Sequence, residues 1–152
     1  MSLLEIKNLN LTYPNGKKIF ENAEITLQLG ESQALWSPNG TGKTSLFRVV
    51  TGLLKPQTAD IFLEDKAVTN EEEFKALRLK VGFVLQHADD QLFFPQVIDD
   101  VAFGPLNQGL SEKEARKVSE EALSNLGILE LKDALSYELS GGQKKLVTLA
   151  CV

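Results

Sequence analysis

This chain is poor in the residues that mark several common functions. It holds one cysteine, one histidine and one tryptophan. The lone Cys151 excludes an internal disulfide and fits a reducing compartment. No apolar run approaches the ~20 residues that a helix needs to cross a bilayer. The opening "MSLLEIKNLNLTYP" has neither the basic region nor the apolar core of a secretory leader. Positive charge is not in excess either. With a net charge of -5, the chain lacks the clustered Lys and Arg that nucleic-acid surfaces need, so no nucleic-acid partner is expected. Together these absences lead to the expectation of a cytoplasmic protein, or one held against a membrane by a partner.

What is present is ordinary globular material: 152 residues, 43% hydrophobic and 24% charged, enough for one domain with a core. "LLEIKNL" and "AEITLQL" alternate apolar and polar residues, as half-buried strands do, and Asn15-Gly16 between them suits a hairpin turn. "SQALW" reads as a short strand running into a glycine-rich loop. From Lys43 the pattern is helical, with Leu46, Phe47, Val49, Val50, Leu53 and Leu54 apolar on nearly all sides and Lys55-Pro56 as the stop. "ADIFLED" and "KVGFVLQ" read as further strands, with a helix near Glu71–Leu77 between them. That order points to an α/β fold with a mainly parallel sheet. The following "ADDQLFFPQVIDDVAFGPLNQGL" is punctuated by Pro and Gly, and the expectation is an irregular segment with short helices. Ser111 to Glu114 forms a capping box for a helix carrying Ala115, Val118, Ala122, Leu123 and Leu126 on one face, closed by Gly127.

The chemistry lies in "ALWSPNGTGKTSLF", Ala34 to Phe47. Pro38, Asn39, Gly40, Thr41 and Gly42 form a turn whose glycines let backbone N–H groups face inward as an anion nest. A helix starting near Lys43 adds partial positive charge at its N-terminus. Lys43 is placed to reach β- and γ-phosphate oxygens, and the Thr44 hydroxyl to hold Mg²⁺, with Ser45 beside it. The full pattern is G-x-x-x-x-G-K-[ST]; only its first glycine is missing, replaced by Ser37. Backbone strain at Ser37, and a lowered affinity, are therefore expected.

A second motif, Leu139-Ser140-Gly141-Gly142-Gln143, lies about 100 residues further on. Ser140 can cap a helix, Gln143 completes the box, and the two glycines bare the first amides for an anion. In combination, these two motifs at this spacing resemble the ABC-type ATPases, whose signature is LSGGQ. The resemblance covers nearly the whole chain. It implies a P-loop NTPase of ABC type with an antiparallel β part, a mainly parallel core sheet and a helical part. Residues 1–86 would form the β and phosphate-loop core, 87–139 the Q-loop and helical subdomain, and 140–152 the start of the signature helix. Tyr13 matches the aromatic residue that stacks on adenine, and Gln86 the glutamine that reaches Mg²⁺ and the attacking water. The stretch Asp89 to Leu110 is similar to the ATPase subunits of energy-coupling factor transporters, which import cobalt, nickel or vitamins.

The resemblance further implies ATP and Mg²⁺ as cofactors and a second ABC ATPase subunit, identical or related. Ser140 to Gln143 of one subunit would face the phosphate loop of the other. Integral membrane subunits would dock near Asp89–Leu110, placing the protein on the inner face of the cell membrane. His87 reads as a loop residue. In this family an apolar strand ending Asp-Glu and a later histidine follow the signature, whereas the sequence ends at Val152. The expectation is a domain truncated after the signature, with hydrolysis near background and unpaired sheet edges. Lys145 and Leu146 stand where Gln and Arg are usual, and Ala59 and Lys66 where glycines are usual. A catalytically dead nucleotide-binding or interaction module, and a soluble ABC ATPase, are the alternative readings.

Overall fold

The computed structural model describes residues 2–152. It divides into two compact units, the first ending at Gly82 and the second spanning Phe83–Val152.

The first unit is built on an antiparallel sheet of order β2-β1-β3-β4. The strands are β1 (Ser2–Thr12), β2 (Lys18–Gln28), β3 (Thr58–Leu63) and β4 (Lys66–Ala67). The β1–β2 hairpin closes through Gly16, whose N–H donates to Tyr13 O at 2.8 Å. In β1 the residues that reach the core are Ile6, Leu9 and Leu11, so the two-residue period skips a step. The skip is a bulge. Asn8 takes a positive φ of 53° at the register shift between Ile6 and Leu9, and asparagine tolerates that conformation better than most residues. Asn10 reinforces the irregularity by accepting the N–H of Asn22, itself at φ 48° on β2. Glu64 and Asp65 make the tight turn into β4, both at positive φ, the requirement of a primed hairpin turn. The strained positions of this turn are thus Glu64 and Asp65. Lys66, where the resemblance led to the expectation of glycine, lies in β4.

Two helices pack with this sheet. In α1 (Lys43–Val50) Leu46, Val49 and Val50 are buried, and in α2 (Glu71–Arg78) Leu77 is. They join Ile6, Leu9, Leu11, Ile61 and Val68 in one core. The first helix stops four residues before the expected Leu54. Gly52 at φ 72° sends its N–H to Val49 O, and Leu53 N–H returns to Arg48 O, which is a Schellman closure. A Cβ at Gly52 would lie 2.6 Å from the Phe74 ring, so packing of α2 enforces the glycine that ends α1. Leu53 is consequently left exposed. Asn70 and Glu73 form the capping box that opens α2.

The second unit is helical. Its elements are α3 (Val97–Asn107), α4 (Glu112–Asn125) and α5 (Gly141–Ala150), with single helical turns at Ala88–Asp90, Leu129–Leu131 and Ser136–Glu138. Val97, Ile98 and Val101 of α3, Leu123 of α4 and Val147 of α5 meet in its core with Ile128 and Leu139. The region from Ala88 to Leu110 is more regular than its Pro and Gly suggest. An 11-residue helix runs through Gly104 and Pro105, although the proline forfeits its own N–H bond to the carbonyl of Val101. In α4 the Ser111–Glu114 capping box forms, and Gly127 and Ile128 close the helix on Ser124 O and Leu123 O. The buried face, however, is Ala115, Ser119 and Leu123. Val118, expected on it, is 43% exposed.

The expected mainly parallel ladder is not formed among the described residues. "SQALW", Ser32 to Trp36, and Lys80 to Gln86 carry no strand pairing, and Trp36 is 83% exposed. A parallel strand has no stability without a neighbour on which to pair.

Candidate functional site

The first helix begins in an unusual way for this chain. The N-cap of α1 is Gly42 at φ 107°, with no side-chain cap and no acidic residue in the first turn. The orphan N–H groups of that turn and the positive end of the helix dipole are thus left for an anion. Glycine is obligatory here. A Cβ on Gly42 would stand 2.3 Å from Ile19 Cγ2 and 3.2 Å from the Phe20 ring, both in β2. Gly40, at φ 78°, faces open space.

The loop before the helix is held by its own polar groups. Lys43 Nζ donates to Ser37 O at 2.5 Å and Pro38 O at 2.9 Å, with a longer contact of 3.4 Å to Ser37 Oγ. Thr41 Oγ1 donates to Pro38 O at 2.8 Å and lies 2.6 Å from Ser37 Oγ. Lys17, from the β1–β2 hairpin, adds a second cation by donating to Gly40 O at 3.0 Å. Nothing in the sequence pattern singled out Lys17, because only the hairpin's fold brings it to the loop. Ser37 itself is not among the non-glycine residues at positive φ, so the strain expected there is absent. Tyr13 is half-buried and hydrogen-bonded through its hydroxyl to the buried Ser45, which ties it to the helix that follows the loop. Thr44 is exposed in the first turn of that helix. The donor set therefore suits a polyphosphate: backbone amides at an uncapped helix start, an ammonium, and a hydroxyl in the register that a divalent cation uses.

The second unit carries the other expected residues. Gln86 is exposed, as is His87 next to it, which precedes the helical turn Ala88–Asp90. Ser140 caps α5, with its Oγ accepting Gln143 N–H at 3.3 Å and its N–H donating to Gln143 Oε1 at 2.9 Å. A Cβ at Gly141 or at Gly142 would meet nothing within 4 Å. Neither glycine is demanded by this chain's own packing, and their exposed amides are left accessible to a ligand.

Two residues of this unit escaped sequence reasoning. Asp100, buried in α3, accepts Phe93 N–H and Phe94 N–H on one oxygen and the Ser136 hydroxyl on the other. A carboxylate inside an apolar run such as Val97 to Ala102 was the available signal. Gln91 accepts the N–H of Leu85 at 3.1 Å and donates to Thr148 O at 2.9 Å, joining the segment before Gln86 to α5. Asp89, in the helical turn Ala88–Asp90, and Lys144 of α5 add an ion pair at 2.6 Å. Beside them, Phe93, Phe94 and Phe103 form a partly exposed aromatic cluster with ring centroids 5.2 to 5.7 Å apart. A cleft of about 360 Å³ opens by Phe93, Phe94, Pro95 and Tyr137. Burial, and then the charge of Asp100, push the Cys151 thiol up to about 12.

A glycine-rich loop entering an uncapped helix, with its lysine folded back on it, defines a P-loop nucleotide-binding fold. The comparison with known proteins narrows this further. Residues 20–152 match the ABC transporter family, and the chain belongs to it. It is 43% identical over 149 residues to the cobalt import ATP-binding protein CbiO of Rhodobacter capsulatus, covering 97% of this chain and 53% of that protein. It is 39% identical over 150 residues to the energy-coupling factor transporter ATP-binding protein EcfA of Methanosphaera stadtmanae, covering 98% of this chain and 54% of that one. The solved structure of CbiO1 from Clostridium perfringens, part of the ABC transporter complex cbiONQ, superposes with a TM-score of 0.87 at 36% identity. It matches over 99% of this chain and 60% of that one. The chain spans about half the length of the curated relatives it matches.

Proposed function

We propose that this chain binds Mg-ATP at Ser37–Ser45 and forms the nucleotide-binding part of an ABC importer of the energy-coupling factor class, for cobalt, nickel or vitamins. The observation that carries the reading is the uncapped start of α1, where Gly42 leaves the first amides without a side-chain acceptor and the Lys43 ammonium is folded onto the loop beside them. When bound, ATP supplies the phosphate charge that these donors neutralise. Lys43 would orient β- and γ-phosphate oxygens, Thr44 would hold Mg²⁺, and Tyr13 would flank the adenine. Gln86 would take its family role toward Mg²⁺ and water. The open Gly141–Gly142 amides, with Ser140 and Gln143 setting their direction, would meet the nucleotide of a second ATPase subunit.

The names of the relatives support the importer class. Among the described residues no helix is long and apolar enough to cross a membrane. The exposed Phe93, Phe94 and Phe103, within Asp89–Leu110, suit docking of integral membrane subunits, since apolar surface of this kind marks interaction sites. The test is calorimetric titration of this chain and Lys43→Ala with Mg-ATP. Loss of the lysine's charge-assisted bonds is expected to weaken binding by about 10- to 100-fold. No binding by the unaltered chain, or equal binding by both, would sink the reading.

A further inference from the structure

We propose that Ser37 is a latch that competes with nucleotide for the phosphate-loop lysine, so that its hydroxyl sets the affinity of the site. The inference rests on the phosphate-binding reading above.

The Lys43 ammonium has three N–H donors and no acceptor. Its three contacts within the loop are Ser37 O, Pro38 O and Ser37 Oγ. A lysine so engaged must release at least one of them before it can donate to a phosphate oxygen. The contact it holds only because residue 37 has a side chain is the 3.4 Å one to Ser37 Oγ. That hydroxyl is also held from the other side. Thr41 has one hydroxyl proton, which goes to Pro38 O. The 2.6 Å contact between the two hydroxyls therefore uses the proton of Ser37. The result is a directed chain, Lys43 to Ser37 to Thr41 to Pro38 O, in which each bond polarises the next. It ties residues 37, 38, 41 and 43 together across the span that a phosphate group would enter. Glycine at position 37 would supply neither the hydroxyl acceptor for Lys43 nor the donor for Thr41. The backbone of Ser37 is outside the left-handed region, so this hydroxyl acts through its hydrogen bonds and not through strain.

The experiment measures two quantities that a merely structural role would move in the same direction. Mg-ATP affinity and the thermal midpoint without nucleotide are determined for this chain and for Ser37→Ala, Ser37→Thr, Thr41→Val and Lys43→Ala. Removing one competing hydrogen bond is expected to tighten binding about three- to tenfold in Ser37→Ala while lowering the midpoint without nucleotide. Ser37→Thr, which restores the hydroxyl, should return both values toward those of the unaltered chain. Thr41→Val breaks the same chain from its other end and should tighten binding in its turn, which keeps a second route open if Ser37→Ala folds poorly. Weaker binding in Ser37→Ala would make the hydroxyl a phosphate ligand and overturn the latch. Unchanged affinity, with binding still lost in Lys43→Ala, would overturn the latch and leave the nucleotide site standing. No binding by any variant would overturn both.

Discussion

The starts of α1 and α5 look alike on paper, since each places glycines at the head of a helix, yet they are built in opposite ways. At α5 the cap is complete: Ser140 and Gln143 satisfy each other's backbone, and Gly141 and Gly142 have open space around them. At α1 there is no side-chain cap, and Gly42 is wedged against Ile19 and Phe20. One end is finished by its own side chains and keeps a bare, permissive surface. The other is left unfinished, and its glycine is forced by tertiary contact. The difference teaches that the first amides of a helix can be left accessible in two ways: by withholding the cap, or by capping it from the side and leaving the tip small.

The sharpest way to break this contrast is a pair of alanine substitutions. Gly42→Ala must adopt φ near +107° and push a methyl group into Ile19, so a loss of about 2–5 kcal/mol is expected. Gly141→Ala, in helical conformation with room around it, should fall within about 1 kcal/mol of the unaltered chain, on the stabilising side. Urea denaturation followed by circular dichroism measures both, and equal effects would end the distinction. A smaller effect is expected from Ser140→Ala, about 1 kcal/mol of stability, read from the same denaturation midpoint. The first helix offers no equivalent substitution, because no side chain caps it.

The smallest effect concerns pH. The capping boxes of α2 and α4 use Glu73 and Glu114, whose carboxyls are held below the usual range chiefly by hydrogen bonds from Thr69 and from Ser111. A carboxyl with a lowered folded pKa contributes stability above its unfolded pKa of about 4.3 and loses it as pH falls through the folded value. The box of α5 uses the neutral Gln143. Amide exchange at the first turns of α2 and α4 should therefore quicken as pH is lowered from 5 to about 3, relative to the intrinsic rate, while that of α5 follows the intrinsic rate alone. Parallel behaviour of all three would show that the glutamates contribute nothing to their caps.

These contrasts also mark how far the sequence could be read. The capping boxes at Ser111 and Ser140 were legible because a cap is an exchange between residues three apart. The glycine-rich turn into α1 was legible for the same reason, since its glycines, lysine and hydroxyl lie within eight residues. The β1–β2 hairpin was legible from the alternation of its strands and the Asn15-Gly16 turn, and a helix near Glu71–Leu77 was expected where α2 forms. The end of α1 was not. Leu53 and Leu54 continue its apolar pattern, but the chain turns at Gly52 because the Phe74 ring occupies the space a side chain would need. Val118 likewise continues the apolar pattern of α4 and yet is exposed, while Ser119, bonded to Ala115 O, is buried in its place.

By itself, then, the sequence determined what short-range chemistry can: which segments alternate, where three-residue caps form, and where a glycine-rich turn with lysine and hydroxyl precedes a helix. Tertiary structure alone decided that Asp100 is buried and satisfied, that Lys17 reaches Gly40, that Ser37 joins Lys43 to Thr41 without backbone strain, and that neither "SQALW" nor "KVGFVLQ" is a strand among the described residues. The physical reason is range. A cap or a turn is settled by neighbours in the chain. A ladder, a buried carboxylate or a cation on a distant carbonyl depends on groups brought close only by folding.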